Sequence, residues 1–272
     1  MTSPTEISVQ QLSRLIGTPH CPVIIDVRID DDFADAPTLI PTAKRWRFDN
    51  IEALVPALLD KSVVIYCQKG LKISQGAAAI LRTFSIDAET LEGGHFGWRD
   101  VGAPLVDASK IPLPEGKSHS IWVTKQRPKI DRIACPWFIR RFIDPNAQFL
   151  FVAPSQVQLV AEKFNATPFD VPDVFWTHRG DQCTFDTMLT EFGLQSDALI
   201  KMADIIRGAD TNCHNLAAEC EGLLAISLGL SRMYKNDLEQ LDAGMLIYDA
   251  LYRWARDASN ERHDSSQDDK RS

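Results

Sequence analysis

KSVVIYCQKGLKISQGAAA, residues 61–79, decides the fold of the first half of this chain. Val63, Val64, Ile65 and Tyr66 form an unbroken β-branched and aromatic run, as a parallel strand covered on both faces requires. Ser74, Gly76, Ala77, Ala78 and Ala79 follow, small enough to let a helix lie close on a sheet. Cys67 stands where strand hands over to helix. There the N–H groups of the loop and of the helix N-terminus converge, and their partial positive charge favours a thiolate or a bound anion. Lys69 and Lys72 add full charges to the same loop. Cys67 is therefore the candidate nucleophile, and Gln68, Lys69, Gly70, Leu71, Lys72 and Ile73 form the candidate substrate-binding loop. An inert strand-end cysteine is the plainer reading of a lone thiol, and the strand, glycine, lysines and small-residue helix together outweigh it.

Working outward, Ser8 and Gln11 have capping-box spacing ahead of Leu12, Leu15 and Ile16, which predicts a helix ending at Gly17. Residues 22–27 (PVIIDV) read as a short strand, followed by a loop rich in aspartate and proline. Asp49 and Glu52 predict a second cap for an amphipathic helix over 51–59, and residues 86–91 supply a further strand before EGGHFGW. Helix, strand, loop, helix, strand, loop, helix is the order of an α/β domain, a parallel sheet flanked by helices. Asp26 and Arg28 are expected to pair beneath the Cys67 loop, and His95, in a Gly-Gly turn, to be structural.

The chain has 272 residues, enough for two domains, with 44% hydrophobic and 24% charged residues. No run approaches the ~20 apolar residues of a membrane span, and the N-terminal MTSPTEISVQQ lacks a basic region before an apolar core. A cytoplasmic location without membrane partners is expected. The cysteines at 21, 67, 135, 183, 213 and 220 contain no CxxC pair, so they are read as reduced thiols. A net charge of −8 argues against a protein coated in nucleic acid, although a local basic patch can exist within it.

Residues 1–105 are thus expected as one domain, 106–120 as an extended, proline-containing linker, 121–257 as a second domain, and the polar 258–272 as a disordered tail. The second domain reads as mainly helical α+β. Strands are predicted at 121–124, 148–152 and 174–177, with a helix capped by Ser155 and Gln158. Further helices are predicted at 197–207, 216–234 and 238–256, the middle one as hub of the core and the last opened by Asp237 and Gln240. Between Lys125 and Arg141 stand six Lys/Arg residues and one acid, Asp131. Such a cluster binds an anion, pairs with acids elsewhere, or faces solvent. Arg132, Arg140 and Arg141 are the oxyanion candidates, because guanidinium groups match oxyanion geometry. His178, Asp181 and Asp210 are the metal candidates, imidazole and carboxylate suiting a divalent first-row ion. A hydrogen-bonded polar loop with arginines paired to acids is the competing reading.

Two resemblances carry further implications. IIDVR at 24–28, IPTA at 40–43, YCQKGLKIS at 66–74 and LEGGHFGW at 91–98 make the first half similar to the rhodanese family of sulfurtransferases. The resemblance implies that Cys67 becomes a persulfide, taking sulfur from a small anionic donor and passing it to a thiol acceptor without a cofactor. Gln68 stands where CRKG-type members carry arginine. Phosphatases on related folds need a longer loop closed by arginine, and this loop ends in Lys72. DRIACPWFIRRFID at 131–144, PFDVPDVFWTHRGDQCTFD at 168–186, IIRGAD at 205–210 and GLLAISLGLSRMY at 222–234 make the second half resemble the ChrB type of chromate-resistance protein. That resemblance implies a link to chromate or a related oxyanion, through control of an exporter operon or through handling of the ion. The expectation is a chromate-resistance-associated sulfurtransferase. A chromate-responsive transcriptional regulator is the alternative, without a recognisable DNA-binding motif to support it, and a metal-dependent redox or oxyanion-handling protein is a third.

Overall fold

The computed structural model describes residues 5–261. In the first half the elements run β1 (Glu6–Ile7), α1 (Val9–Leu15), β2 (Val23–Asp26), α2 (Asp30–Asp35), β3 (Thr38–Leu39) and β4 (Lys44–Arg45), then α3 (Val55–Leu58), β5 (Ser62–Tyr66), α4 (Lys72–Thr83), β6 (Asp87–Leu91), α5 (Gly94–Asp100) and β7 (Val106–Asp107). β1, β6, β5, β2 and β4 form a five-stranded sheet in that order, every pair parallel. Helices flank it, giving the mixed α/β architecture expected from the alternation of elements. Ser8 accepts from the Gln11 N–H and Gln11 answers to the Ser8 N–H, so the capping box forms as spaced.

The side-chain alternation of β5 sorts its residues between two cores. Val63, Ile65 and Cys67 lie in a cluster with Ala77, Ala78 and Leu81 of α4, whereas Val64 and Tyr66 belong to the larger cluster with Leu12, Ile16 and Trp98. Of the small residues of α4, Ser74, Ala77 and Ala78 are buried as expected, whereas Gly76 and Ala79 lie on its exposed face. The region 48–58 departs from expectation: 3-10 turns run over Phe48–Leu54, with non-helical Asn50, before the single α turn of α3. Asp49 does not cap, because its carboxylate is taken by Arg47.

The second half contains β8 (Ile121–Lys125), α6 (Asp131–Phe138), β9 (Gln148–Val152), α7 (Val157–Phe164), β10 (Thr167–Pro168), α8 (Thr184–Phe192), α9 (Asp197–Asp210), α10 (Cys220–Met233) and α11 (Asp237–Arg253). β10, β8 and β9 make a parallel three-stranded sheet. Residues 174–177 do not add a strand; Trp176 makes only an isolated bridge to Phe169. α7 starts after a 3-10 turn at Pro154–Gln156 with no side-chain cap, so the Ser155 and Gln158 pattern is unused. α11 is capped one residue earlier than predicted, by Asn236 accepting from Leu238 and Glu239, while Gln240 donates to the Pro128 carbonyl.

The hub is α6 rather than α10. Ile133, Ala134, Cys135, Trp137 and Phe138 of α6 are buried, and Trp137 packs against Phe142, Phe185, Tyr248 and Tyr252. α10 has the right leucine spacing but buries only Cys220, Leu223, Ser227 and Ser231, leaving Ile226, Leu228 and Met233 exposed.

The halves share one core. Leu12, Ile16 and Trp98 are continuous with Trp122, Trp137 and Phe142. Thr42 N–H donates to the Phe142 carbonyl at 2.9 Å, and Lys44 reaches Asp144 at 3.0 Å and the Ser118 carbonyl at 2.7 Å. The connecting stretch is anchored too: β7 pairs antiparallel with β3, and Lys110 meets Glu191 at 3.0 Å. The expected disordered tail lies outside the described residues except for 258–261.

Candidate functional site

Cys67 opens the loop at the carboxyl end of β5, and α4 begins at Lys72. Gly70 has a φ of +68° and Gly94 of +58°, both in the left-handed region that favours glycine. The two backbones touch so closely that a Cβ on Gly94 would lie 2.3 Å from the Cys67 carbonyl oxygen and 2.3 Å from the Gly70 nitrogen. His95 N–H donates to the Cys67 carbonyl at 2.9 Å and Phe96 N–H to that of Gln68 at 3.0 Å. The LEGGHFGW stretch is thus the floor that shapes the loop.

The thiol is buried, with its Sγ 3.3 Å from the Ser74 Oγ. Burial alone would raise its pKa. The Ser74 hydroxyl and the N–H groups of Ser74, Leu71 and Lys69 outweigh that cost and bring it below the usual thiol value. Other cysteines go the opposite way: burial pushes Cys21 up to about 11 and drives Cys135 and Cys183 well above the ordinary range. Cys67 is thus set apart from these three by a lowered thiol pKa. Lys69, Leu71 and Lys72 are exposed around it, Gln68 and Ile73 half-buried, and Gly70 buried.

Asp26 and Arg28 pair as expected, both buried, with Nη2 2.6 Å from Oδ2; Arg28 also donates to the carbonyls of Ala36 and Thr38. The guanidinium is fully engaged in tying β2 to the β3 segment. His95 is buried against Thr38 and Tyr66, and burial followed by the nearby Arg28 charge lowers its pKa to about 4. It stays neutral at pH 7.

In the second half the structure brings His178 and Asp210 together but leaves Asp181 exposed and outside the group. Two carboxylates that sequence reasoning missed complete the cluster: Asp131, at the start of α6, and Asp170, after β10. The His178 Nε2 lies 3.5 Å from Asp131, 3.3 Å from Asp170 and 3.4 Å from Asp210. Hydrogen bonding to Asp131, Asp170 and Asp210 pushes the imidazole up to about 12, while burial pushes Asp131 up to about 6. The signal for Asp131 was its place as the lone acid in a basic segment; Asp170 had none.

The arginines separate. Arg132 borders this cluster, 3.2 Å from Asp170. Arg140 instead reaches Asp242, and Arg141 grips Asp249 through two bonds of 2.7 and 2.8 Å, with Trp137 donating to the same carboxylate. Arg127 is spent on the carbonyls of Ser231 and Tyr234. Three of the six basic residues of this segment thus pair with acids of the fold, and Arg132 is the oxyanion candidate placed beside other polar functional groups. A cavity of about 800 Å³ lies between the halves, bordered by Cys21, Thr42, Lys44, Arg141 and Asp144; neither Cys67 nor His178 lines it. No helix among the described residues is long and apolar enough to cross a membrane.

Comparison with known proteins matches two families to successive stretches of the chain. The family described as the rhodanese-like domain matches residues 8–100, and that described as ChrB, C-terminal domain, matches residues 122–255. Protein ChrB of Cupriavidus metallidurans is 31% identical over 195 residues, covering 65% of this chain and 57% of that protein. Among solved structures, a rhodanese-related protein from Thermoplasma volcanium is 22% identical, covering 37% of this chain and 96% of its own, with a TM-score of 0.33. A rhodanese-like domain protein from Staphylococcus aureus is 29% identical over 35% of this chain and 90% of its own, with a TM-score of 0.31.

Proposed function

Residues 8–100 are a rhodanese-like domain and residues 122–255 a ChrB C-terminal domain, and from that premise we propose that the protein is a chromate-resistance-associated sulfurtransferase acting through Cys67. The single observation that carries the reading is the thiol's environment: burial opposes ionisation, yet Ser74 and three backbone N–H groups overcome it.

The Cys67 thiolate attacks the sulfane sulfur of a small anionic donor. A new S–S bond forms at Sγ while the donor's bond to that sulfur breaks and its electron pair leaves with the anion. A thiolate acceptor then attacks the outer sulfur of the persulfide, and the Cys67 thiolate departs. The loop N–H groups hold the negative charge on sulfur at both stages, and exposed Lys69 and Lys72 attract the anionic donor. Gln68 offers a neutral amide at the position that follows the nucleophile, so donor binding rests on those two lysines. No cofactor enters this chemistry. The engaged arginines of the second half speak against a DNA-binding basic face.

Mass spectrometry of the full chain after incubation with thiosulfate or mercaptopyruvate tests the proposal. A one-sulfur adduct on the Cys67 peptide, absent in Cys67→Ser and discharged by a thiol, is expected. Folded protein that takes up no sulfur from either donor would overturn it. In cells, loss of chromate tolerance in the Cys67→Ser strain is the expected companion result.

A further inference from the structure

Asp131, Asp170, His178 and Asp210 arrive from separate parts of the chain: the start of α6, the loop after β10, the loop before α8, and the end of α9. Donor atoms of Asp131, Asp170 and His178 all lie within 4.8 Å of one another. We propose that these four side chains hold a first-row divalent cation at the carboxyl end of the three-stranded sheet, independently of the chemistry at Cys67.

Spacing argues first. A single imidazole nitrogen faces three carboxylates at 3.3, 3.4 and 3.5 Å. A charged N–H···O⁻ bond closes to about 2.7–2.9 Å, and one N–H cannot serve three acceptors. Ligands held about 2.0–2.2 Å from a shared metal stand about 3.0–3.5 Å from each other. The imidazole stands at that spacing from each carboxylate; Asp131, Asp170 and His178 form the mutually close group, and Asp210 joins it at the imidazole.

The supporting shell argues second. Asp131 is fully buried and its two oxygens accept the N–H groups of Thr184 and Phe185, at 2.6 and 3.2 Å. The Thr184 hydroxyl donates to Asp170 at 3.0 Å. The first turn of α8 thereby aims two carboxylates at once, which is how ligating carboxylates are usually oriented. Thr124 is a further sign. It is fully buried near the end of β8, its hydroxyl has no hydrogen-bond partner, and strand alternation puts it on the Trp122 face that belongs to the core shared with α6 and α8.

Charge and access complete the case. Three carboxylates converge while Arg132, pairing with Asp170, is the cation beside them. A divalent ion offsets the excess negative charge. The His178 side chain is 39% exposed, so an ion has a way in and the centre keeps a side open to water or a small oxyanion. One nitrogen and several oxygens suit manganese, iron, cobalt or zinc.

The test uses the full chain carrying Cys67→Ser and Cys213→Ser, so that neither the activated nor the exposed thiol competes for metal. Equilibrium dialysis against Co²⁺, Mn²⁺ and Zn²⁺, with the visible spectrum of the cobalt form, is expected to give one ion per chain. Asp210→Asn and His178→Ala should weaken binding by ~10–100-fold or more, the scale for disturbing a metal's surroundings, whereas Asp181→Asn should not change it. Both variants sit at exposed or half-exposed positions, and circular dichroism verifies their folding. Binding well below one ion per chain for all three metals, or binding that ignores Asp210→Asn and His178→Ala in folded protein, would overturn the proposal.

Discussion

Cys67 and Ser74 meet across the start of α4, Sγ to Oγ at 3.3 Å, and this contact is the largest of the effects that stabilise the thiolate against burial. The Ser74 hydroxyl also lies 3.2 Å from the Leu71 carbonyl, the alternative acceptor for its single proton when Cys67 is a neutral thiol. Removing the hydroxyl in Ser74→Ala therefore takes a hydrogen bond from a charged acceptor, a loss of about 1.5 kcal/mol or about tenfold in thiolate population. Iodoacetamide modification of Cys67 at pH 7 should slow by that factor, with the inflection of its pH profile moving upward.

Gly94→Ala should disable the same loop without touching the thiol. Its Cβ would meet the Cys67 carbonyl oxygen and the Gly70 nitrogen at 2.3 Å each, on a backbone already at φ +58°. Strain and overpacking together cost about 3 kcal/mol. Urea denaturation should show that loss, and persulfide loading should fall further than stability does, because the donated N–H groups lose their aim.

The shared core predicts that the two halves unfold together. Gly17, at φ +80°, lies under Phe142 and Tyr252, and a Cβ there would be 2.5 Å from one ring and 2.8 Å from the other. Gly17→Ala should lower the protection of amides in β5 and in α9 alike, measured by native-state hydrogen exchange. Loss confined to the first half would contradict a single cooperative unit.

His95 makes stability depend on acid. Its folded pKa of about 4 lies below the ordinary 6.5, so the unfolded chain binds the proton more readily. Stability from this residue is complete above pH 6.5 and is lost as the pH falls toward 4, by at most about 3 kcal/mol. Urea midpoints at pH 7 and 4.5 should differ more for the native chain than for His95→Gln.

The first half was legible because its information is local. A β-branched strand, a thiol, a glycine and a small-residue helix follow one another within residues 61–79, and each predicts its neighbour's place. The second half stores its site across some eighty residues, so Asp131 and Asp170 carried no spacing signal, while the nearby Asp181 drew attention by sequence proximity to His178. Periodicity misled at α10: Ile226, Leu230 and Met233 keep helical spacing, yet the face that packs carries Leu223 with Ser227 and Ser231, whose small side chains allow Ile130 N–H and Arg127 to approach. The paired arginines were legible as a class, since a basic run in an acidic protein has acids to meet, but their partners at Asp242 and Asp249 lie a hundred residues away.

Enclosing Leu12, Ile16 and Trp98 with Trp137 and Phe142 has a kinematic consequence. Two bodies that share an apolar core, with the connecting ribbon stitched to both by β7 and Lys110, resist swinging about a hinge. Under the proposed chemistry, sulfur on Cys67 would therefore not ride a moving arm to the buried thiols of Cys135 or Cys183. It would leave with an acceptor that diffuses to the exposed loop from solvent.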